Sequence, residues 1–200
     1  MRAWAIILAS LLIPACSSGS RQVQSGPPSS ALETMPEGFT GVWTTYYPDG
    51  TPESVSEFKD GVVCGSVTEY STKGNIRSTY TVKDGKRTGT ITVYYDDGTV
   101  RMKYSYLDGK SRGSVQSFYP GGQPLAEVTP VIPDRLEVTF YHENGSVSER
   151  YTICSGLPDG PYTSYYEDGT LRRTGNYNAG EMVGAWTYRE PDGRICVEQY

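Results

Sequence analysis

The feature that most limits what this 200-residue chain can fold into is a repeat. The segments GVWTTYYPDG (from Gly41), GSVTEYSTKG (Gly65), GTITVYYDDG (Gly89), GSVQSFYPGG (Gly113), GPYTSYYEDG (Gly160) and GAWTYREPDG (Gly184) share one pattern. Starts at 41, 65, 89 and 113 are 24 residues apart, as are those at 160 and 184. A further copy, LEVTFYHENG ending at Gly145, lacks the opening glycine and follows the irregular stretch Leu125 to Pro133. Seven units therefore span residues 39–200, the fourth damaged in its second half and the seventh cut short. A fixed period of this length means that each unit buries its apolar face only by stacking on its neighbours.

Each unit reads as a β-hairpin. Turns are spelled Asp49-Gly50, Asp60-Gly61, Asp84-Gly85, Asp97-Gly98, Asp108-Gly109, Asn144-Gly145, Asp168-Gly169 and Asp192-Gly193. Asp-Gly and Asn-Gly tolerate the positive φ of tight reversals, so the glycines read as spaced for turns between strands. Between turns run five to eight β-branched or tyrosine-rich residues, and nothing there has a 3.6-residue apolar period. The chain has 17 Tyr and only 4 Phe, so tyrosine takes the place of an aliphatic core. In second strands Val100, Met102, Tyr104 and Tyr106 alternate with Thr99, Arg101, Lys103 and Ser105; Ile76, Tyr80, Val82, Val147, Tyr151 and Ile153 belong to the same apolar face. That face is the expected core, and the Arg and Lys opposite it are solvated charge.

First strands carry aromatics at adjacent positions. One column is Trp43, Val67, Ile91, Val115, Tyr162 and Trp186, with Tyr47, Tyr95, Tyr119 and Tyr166 in the same face set. Between them, pointing the other way in an ideal strand, stand Tyr46, Tyr70, Tyr94, Phe118, Phe140 and Tyr165. Either a bulge brings both columns to one face, or the second column is presented to solvent. These six residues are the candidate binding column, and the alternative is a second layer of the core. The unit G-x-(W/V/I)-x-x-Y-Y-x-x-G, followed by a strand and a D-G turn, resembles the MORN-type repeat in its bacterial variant. That resemblance implies an all-β, elongated array of stacked antiparallel hairpins with terminal units as caps, no catalytic residues, and relatives often labelled antitoxin-like. A competing resemblance is to the aromatic-and-glycine repeats of choline- and glucan-binding cell-wall proteins, whose units are nearer 20 residues.

Ahead of the repeats, residues 1–15 have a positive start at Arg2, an apolar run Ala3 to Ile13 and Ala15 before Cys16, the pattern of a signal peptide. The run is too short for a transmembrane helix of about 20 residues. Ile13-Pro14-Ala15-Cys16 resembles the lipobox of bacterial lipoproteins, which implies lipidation of Cys16, and Ser17 after it implies the outer membrane. Residues 16–38, the expected lipidated cysteine with its Ser-, Gly- and Pro-rich tether, cannot bury enough apolar surface to offset chain entropy.

Residues for chemistry are scarce. His142 is the sole histidine, and it stands at a turn approach in the least regular unit, which reads as a solvated turn residue. Cys64, Cys154 and Cys196 lack metal spacing; the last two fall on strands four steps apart, too far for a disulfide, and Cys64 is the expected exposed thiol. Asp-Gly turns offer one or two carboxylates where calcium wants six to eight oxygens. No phosphate loop precedes a helix. The expectation is a non-enzyme without cofactor or metal. A net charge of −5 also disfavours nucleic acid as a partner. What remains is an envelope lipoprotein, anchored in the membrane by its N-terminal lipid, that binds or scaffolds another envelope protein. Cell-wall glycan binding and an antitoxin-like or immunity role stay open beside it.

Overall fold

The computed structural model describes residues 35–132 and 134–200. The expected signal peptide, Cys16 and the tether up to residue 34 lie outside the described residues. Fourteen strands form one antiparallel sheet in chain order: β1 (Gly41–Tyr46), β2 (Pro52–Lys59), β3 (Val62–Tyr70), β4 (Ile76–Lys83), β5 (Lys86–Tyr94), β6 (Val100–Leu107), β7 (Lys110–Phe118), β8 (Pro124–Ile132), β9 (Arg135–Tyr141), β10 (Val147–Cys154), β11 (Leu157–Tyr165), β12 (Leu171–Asn178), β13 (Glu181–Arg189) and β14 (Ile195–Gln199). The all-β hairpin array expected from the repeat is the architecture found. Among the described residues no helix is long and apolar enough to cross a membrane.

Two turn chemistries alternate. At Asp60-Gly61, Asp84-Gly85 and Asp108-Gly109 both residues have positive φ, 49–51° for the aspartates and 71–79° for the glycines, the geometry of a tight two-residue hairpin. At the other end only the glycine is left-handed: Gly50 N–H donates to the Tyr47 carbonyl at 2.9 Å and Tyr47 N–H to the Thr51 carbonyl at 2.8 Å. There Asp49 accepts from the Thr51 N–H at 2.9 Å, and Asp97 and Asp168 serve Thr99 and Thr170 in the same way. These bonds hold the aspartates below the usual carboxylate range and explain their presence without a metal.

The glycine that opens each unit is not in a turn, as its spacing had implied, but inside a strand. Ser56 pairs with Val67 and Phe58 with Val63, so Cys64, Gly65 and Ser66 oppose Glu57 alone, and Gly65 takes φ 107°. Such a bulge bends the strand toward its core face. The fifth unit has Leu136 at this place and no such bulge: Val128, Thr129 and Pro130 pair in step with Val138, Glu137 and Leu136. That accounts for the period slipping to 23 residues between Gly122 and Gly145. Of the stretch read as irregular, Leu125 to Pro133, the part up to Ile132 is instead the body of β8, with Pro124 at its start and Pro130 beside a register shift, where a ladder donor is dispensable.

Burial centres on one line of residues across one face, flanked by Val82, Ala126, Ile153, Ser78 and Ser164. Trp43, Val67, Ile91, Val138, Tyr162 and Trp186 are 0–5% exposed, and Tyr104 and Tyr151 from the intervening second strands are 7–8% exposed. Large residues are set against small ones: Trp43 pairs with Ser56, and Tyr162 pairs with Gly175, over which the Trp186 ring lies. The densest part is an aromatic stack in which Tyr151 lies 6.3 Å from Phe140 and 6.1 Å from Tyr162, with Trp186 5.5 Å beyond. Ile76, expected in this face, is 42% exposed. A register shift between Glu69 and Tyr70 adds one residue to β4, and a slip of one residue turns a side chain to the opposite face.

A Cβ on Gly175 would lie 2.2 Å from the Trp186 ring, although its backbone needs no positive φ. Gly175→Ala should therefore destabilise the protein by about 1–3 kcal/mol through overpacking, read as a lower urea midpoint; an unchanged midpoint would contradict this packing. Burial pushes the Tyr151 phenol up to about 12, and those of Tyr104 and Tyr162 rise for the same reason. The unfolded phenol titrates near pH 10, so the stability held by the neutral Tyr151 is complete below about pH 10 and lost as pH rises toward 12. Denaturant titrations across that range should show the loss, and Tyr151→Phe should flatten it.

Candidate functional site

The structure separates the two adjacent aromatic columns. Tyr94 follows Thr92 by two positions, and its hydroxyl lies 3.4 Å from Thr79, the residue that pairs with Thr92 on the face away from the core. Phe118 is on that same outer face, with the Lys103 ammonium 5.7 Å from its ring centre. Tyr46, Tyr70, Tyr94, Phe118 and Tyr165 occupy one register position in successive units, opposite Pro52, Ile76, Val100, Pro124 and Leu171. All five are half-buried. In the fifth unit that position belongs to Tyr141, opposite Val147, and not to Phe140. Phe140 faces the core and stacks on Tyr151, because, counted back from the turn glycine, it stands at the place of Ser117 and Ser164 in the neighbouring units.

Beside this column runs an outer strip of threonines. Thr44, Thr68, Thr79 and Thr92 stand in register on β1, β3, β4 and β5, with Val55 completing the row on β2, and Thr163, Thr174 and Thr187 continue the same line on β11, β12 and β13. Threonine suits an outward strand position because its branched carbon favours the extended backbone while its hydroxyl stays hydrated. The outer face therefore combines aromatic rings with a row of small donors and acceptors.

The second aromatic of each pair joins one unit to the next. Tyr47 donates its hydroxyl proton to the Tyr70 carbonyl at 2.8 Å, Tyr95 to Phe118 at 2.8 Å, Tyr119 to Tyr141 at 3.0 Å and Tyr166 to Arg189 at 2.7 Å. His142 takes the same place: its Nε2 contacts the Tyr165 carbonyl at 3.0 Å, where only a protonated nitrogen can serve. The histidine read from sequence as a solvated turn residue is thus a tyrosine substitute in the ladder. At the opposite hairpin ends backbone bonds do this work, as from Gly109 N–H to the Arg87 carbonyl at 3.0 Å and from Gly180 N–H to the Pro158 carbonyl at 2.8 Å.

A second line on the core face is polar in places. Glu69 is half-buried and accepts from Ser78 at 2.8 Å, Arg77 at 3.2 Å and Tyr80 at 3.1 Å. Burial raises its carboxyl, but these donors outweigh burial and leave it below the usual range. Near the other end, the Arg173 guanidinium lies 4.5 Å from the Tyr162 ring centre and 5.2 Å from that of Trp186. It borders a cavity of about 400 Å³ that also touches Ser164, Arg172, Tyr188 and Glu149. Burial opposes the Arg173 charge, while the Tyr162 hydroxyl and neighbouring phenols support it and the net shift is upward.

None of these groups forms a nucleophile and base pair, since the histidine ring nitrogen that could act is engaged with a main-chain carbonyl. Among the described residues no three of His, Cys, Asp and Glu converge to hold a metal ion. The three described cysteines are free. Cys64, expected to be the exposed thiol, is half-buried within the β3 bulge, whereas Cys196 on β14 is exposed.

Among solved structures, TarM is 12% identical over 43% of this chain and 17% of its own, with a TM-score of 0.31. The GtfA/B complex bound to UDP and GlcNAc is 13% identical over 67% of this chain and 22% of its own, with a TM-score of 0.20. This chain thus spans about a fifth of the length of those proteins. No curated protein matches it. Residues 39–60, 87–108 and 158–179 match the MORN repeat variant, each stretch covering part of a hairpin unit.

Proposed function

We propose that the chain is a non-catalytic repeat module that binds a protein partner through the outer face of its sheet, held at the cell envelope by a lipid on Cys16. The observation that carries this reading is the aromatic column Tyr46, Tyr70, Tyr94, Phe118, Tyr141 and Tyr165 beside the outer threonine strip. Rigid tyrosines give large amphipathic contact area with few rotatable bonds, and flanking hydroxyls supply adaptable hydrogen bonds. Phe140, half-buried against the aromatic stack on the core face, takes no part. The side-chain chemistry of the face favours a polypeptide, because half-buried rings beside hydroxyls match the mixed surface of a protein rim. MORN-type matches along the chain support the repeat-module part of this reading. The lipobox-like Ile13-Pro14-Ala15-Cys16 supports the anchor.

A photo-crosslinking amino acid at Tyr94 or Tyr165 of the full-length chain in its own cells should capture one dominant protein. The same probe at Lys110, exposed at a hairpin end, should not. Capture of glycan alone, or the same adducts from every probe site, would refute protein binding by this face. For the anchor, Cys16→Ser should move the protein from the membrane fraction to the soluble fraction. Retention of that variant in the membrane would refute lipid attachment at Cys16.

A further inference from the structure

Because the units share one geometry, a residue in one unit shows what its counterpart in another lacks. In the second unit Arg77 occupies the extra position left by the register shift, and Ser78 pairs with Glu69 across the hairpin. The Glu69 carboxylate sits between them, 3.2 Å from the Arg77 guanidinium and 2.8 Å from the Ser78 hydroxyl. In the sixth unit the register is the same, with Arg172 at the extra position and Arg173 paired with Ser164. Here two arginines stand where the second unit has Arg77 and Ser78, and the residue in the place of Glu69 is serine. Ser164 is 4% exposed, and its neutral hydroxyl brings no negative charge to the space in front of it. That space is the 400 Å³ cavity.

The ion pairs among the described residues are Lys73–Asp96, Arg77–Glu69, Arg135–Asp159 and Arg194–Asp192; Arg172 and Arg173 are in none of them. Arg172 stacks on Tyr166 at 5.8 Å and Arg173 on Tyr162 at 4.5 Å, so both guanidinium planes are positioned by aromatic faces. A guanidinium so held presents its N–H fork to a carboxylate with little further loss of freedom. Glu149, paired with Ser164 from the other side, lines the far wall of the cavity without reaching ion-pair distance of either arginine.

We propose that this cavity is a carboxylate-binding site, and that its occupant is an acidic side chain on an extended segment of the protein partner. The carboxylate takes the place that Glu69 fills internally in the second unit, accepting from Arg172, Arg173 and the Ser164 hydroxyl. Peptide is favoured over a carboxylated sugar because Tyr162 is 1% exposed and one face of Tyr166 is taken by Arg172, which leaves little aromatic surface beside the cavity for a sugar ring to stack on. The inference rests on the reading of the chain as a protein-binding module and adds a second contact on the core side of the sheet.

Calorimetric titration of the full-length chain with a capped tetraglutamate peptide tests it, with tetraglutamine and trigalacturonate as comparisons. Tetraglutamate should bind, more weakly as salt rises, and tetraglutamine should not. Arg172→Gln should weaken binding by about tenfold, while Arg101→Gln, at the same position of the third unit, should leave it unchanged. Glu149→Gln should strengthen binding by removing the facing negative charge. The circular dichroism of all three variants reports whether they fold. Absence of tetraglutamate binding, equal loss in Arg101→Gln, or binding of trigalacturonate alone would overturn the proposal. If photo-crosslinking at Tyr94 still captures a protein in that event, the binding-module reading stands and only the carboxylate site falls.

Discussion

Among the described residues a single sheet has no second layer to pack against, so the rest of the fold depends on how one face buries itself. The solution is a line of side chains that crosses the strands from Trp43 to Trp186, each touching its neighbours on the adjacent strands. Burial at roughly 25 cal/mol per Å² of apolar surface favours large residues in that line. Small residues make room for the largest rings, as Ser56 does beside Trp43 and Gly175 beneath Trp186, while Tyr151 and Tyr162 stack on each other directly. Bulges at the opening glycines bend the strands around this line and let residues beyond it, such as Tyr177 and Met182, close over the ring of Trp186.

The edges of the line are secured differently at the two ends of the hairpins. At one end turn glycines donate backbone N–H groups to the preceding unit, and at the other tyrosine hydroxyls reach the carbonyl of the following one. A hydroxyl at that distance can be replaced by another donor of similar reach, which is what His142 does. Where unit identity is lost, as at Ser71, the side chain is too short to reach the next unit's carbonyl, and the ladder is interrupted. Because each stitch spans one unit, the array can vary its polar residues locally. Glu69 and Arg173 lie on the same polar line of the core face for this reason, one with its counter-charges and the other facing a cavity.

Most of the architecture was legible because its signals are local. Asp-Gly turns, the 24-residue period and the column from Trp43 to Trp186 each follow from backbone sterics or side-chain alternation, and all are found in the structure. The phase of the second strands was less legible. A register shift costs one residue and leaves no residue type behind, so Ile76 was assigned to the wrong face, whereas Phe140 was assigned to the wrong column because it is an aromatic at the place serine holds in the fourth and sixth units. Glycine is ambiguous in the same way, since a turn and a bulge both require its left-handed φ. The role of His142 depends on a carbonyl 23 residues away, and only the alignment of His142 with Tyr119 and Tyr166 in the repeat pointed to it. The arginine cavity was invisible as a site because Arg172 and Arg173, consecutive between Leu171 and Thr174, read as ordinary surface charge.

The central claim is that cohesion in this sheet is nearest-neighbour along one buried line, as in other repeat arrays. Native-state hydrogen exchange of Trp186→Ala, read strand by strand, tests it most directly. The account predicts faster exchange in β11 to β14, where that ring packs, with β1 to β6 as protected as in the unaltered protein. An equal fall in protection through all fourteen strands would contradict it, because the sheet would then be held together as one cooperative core.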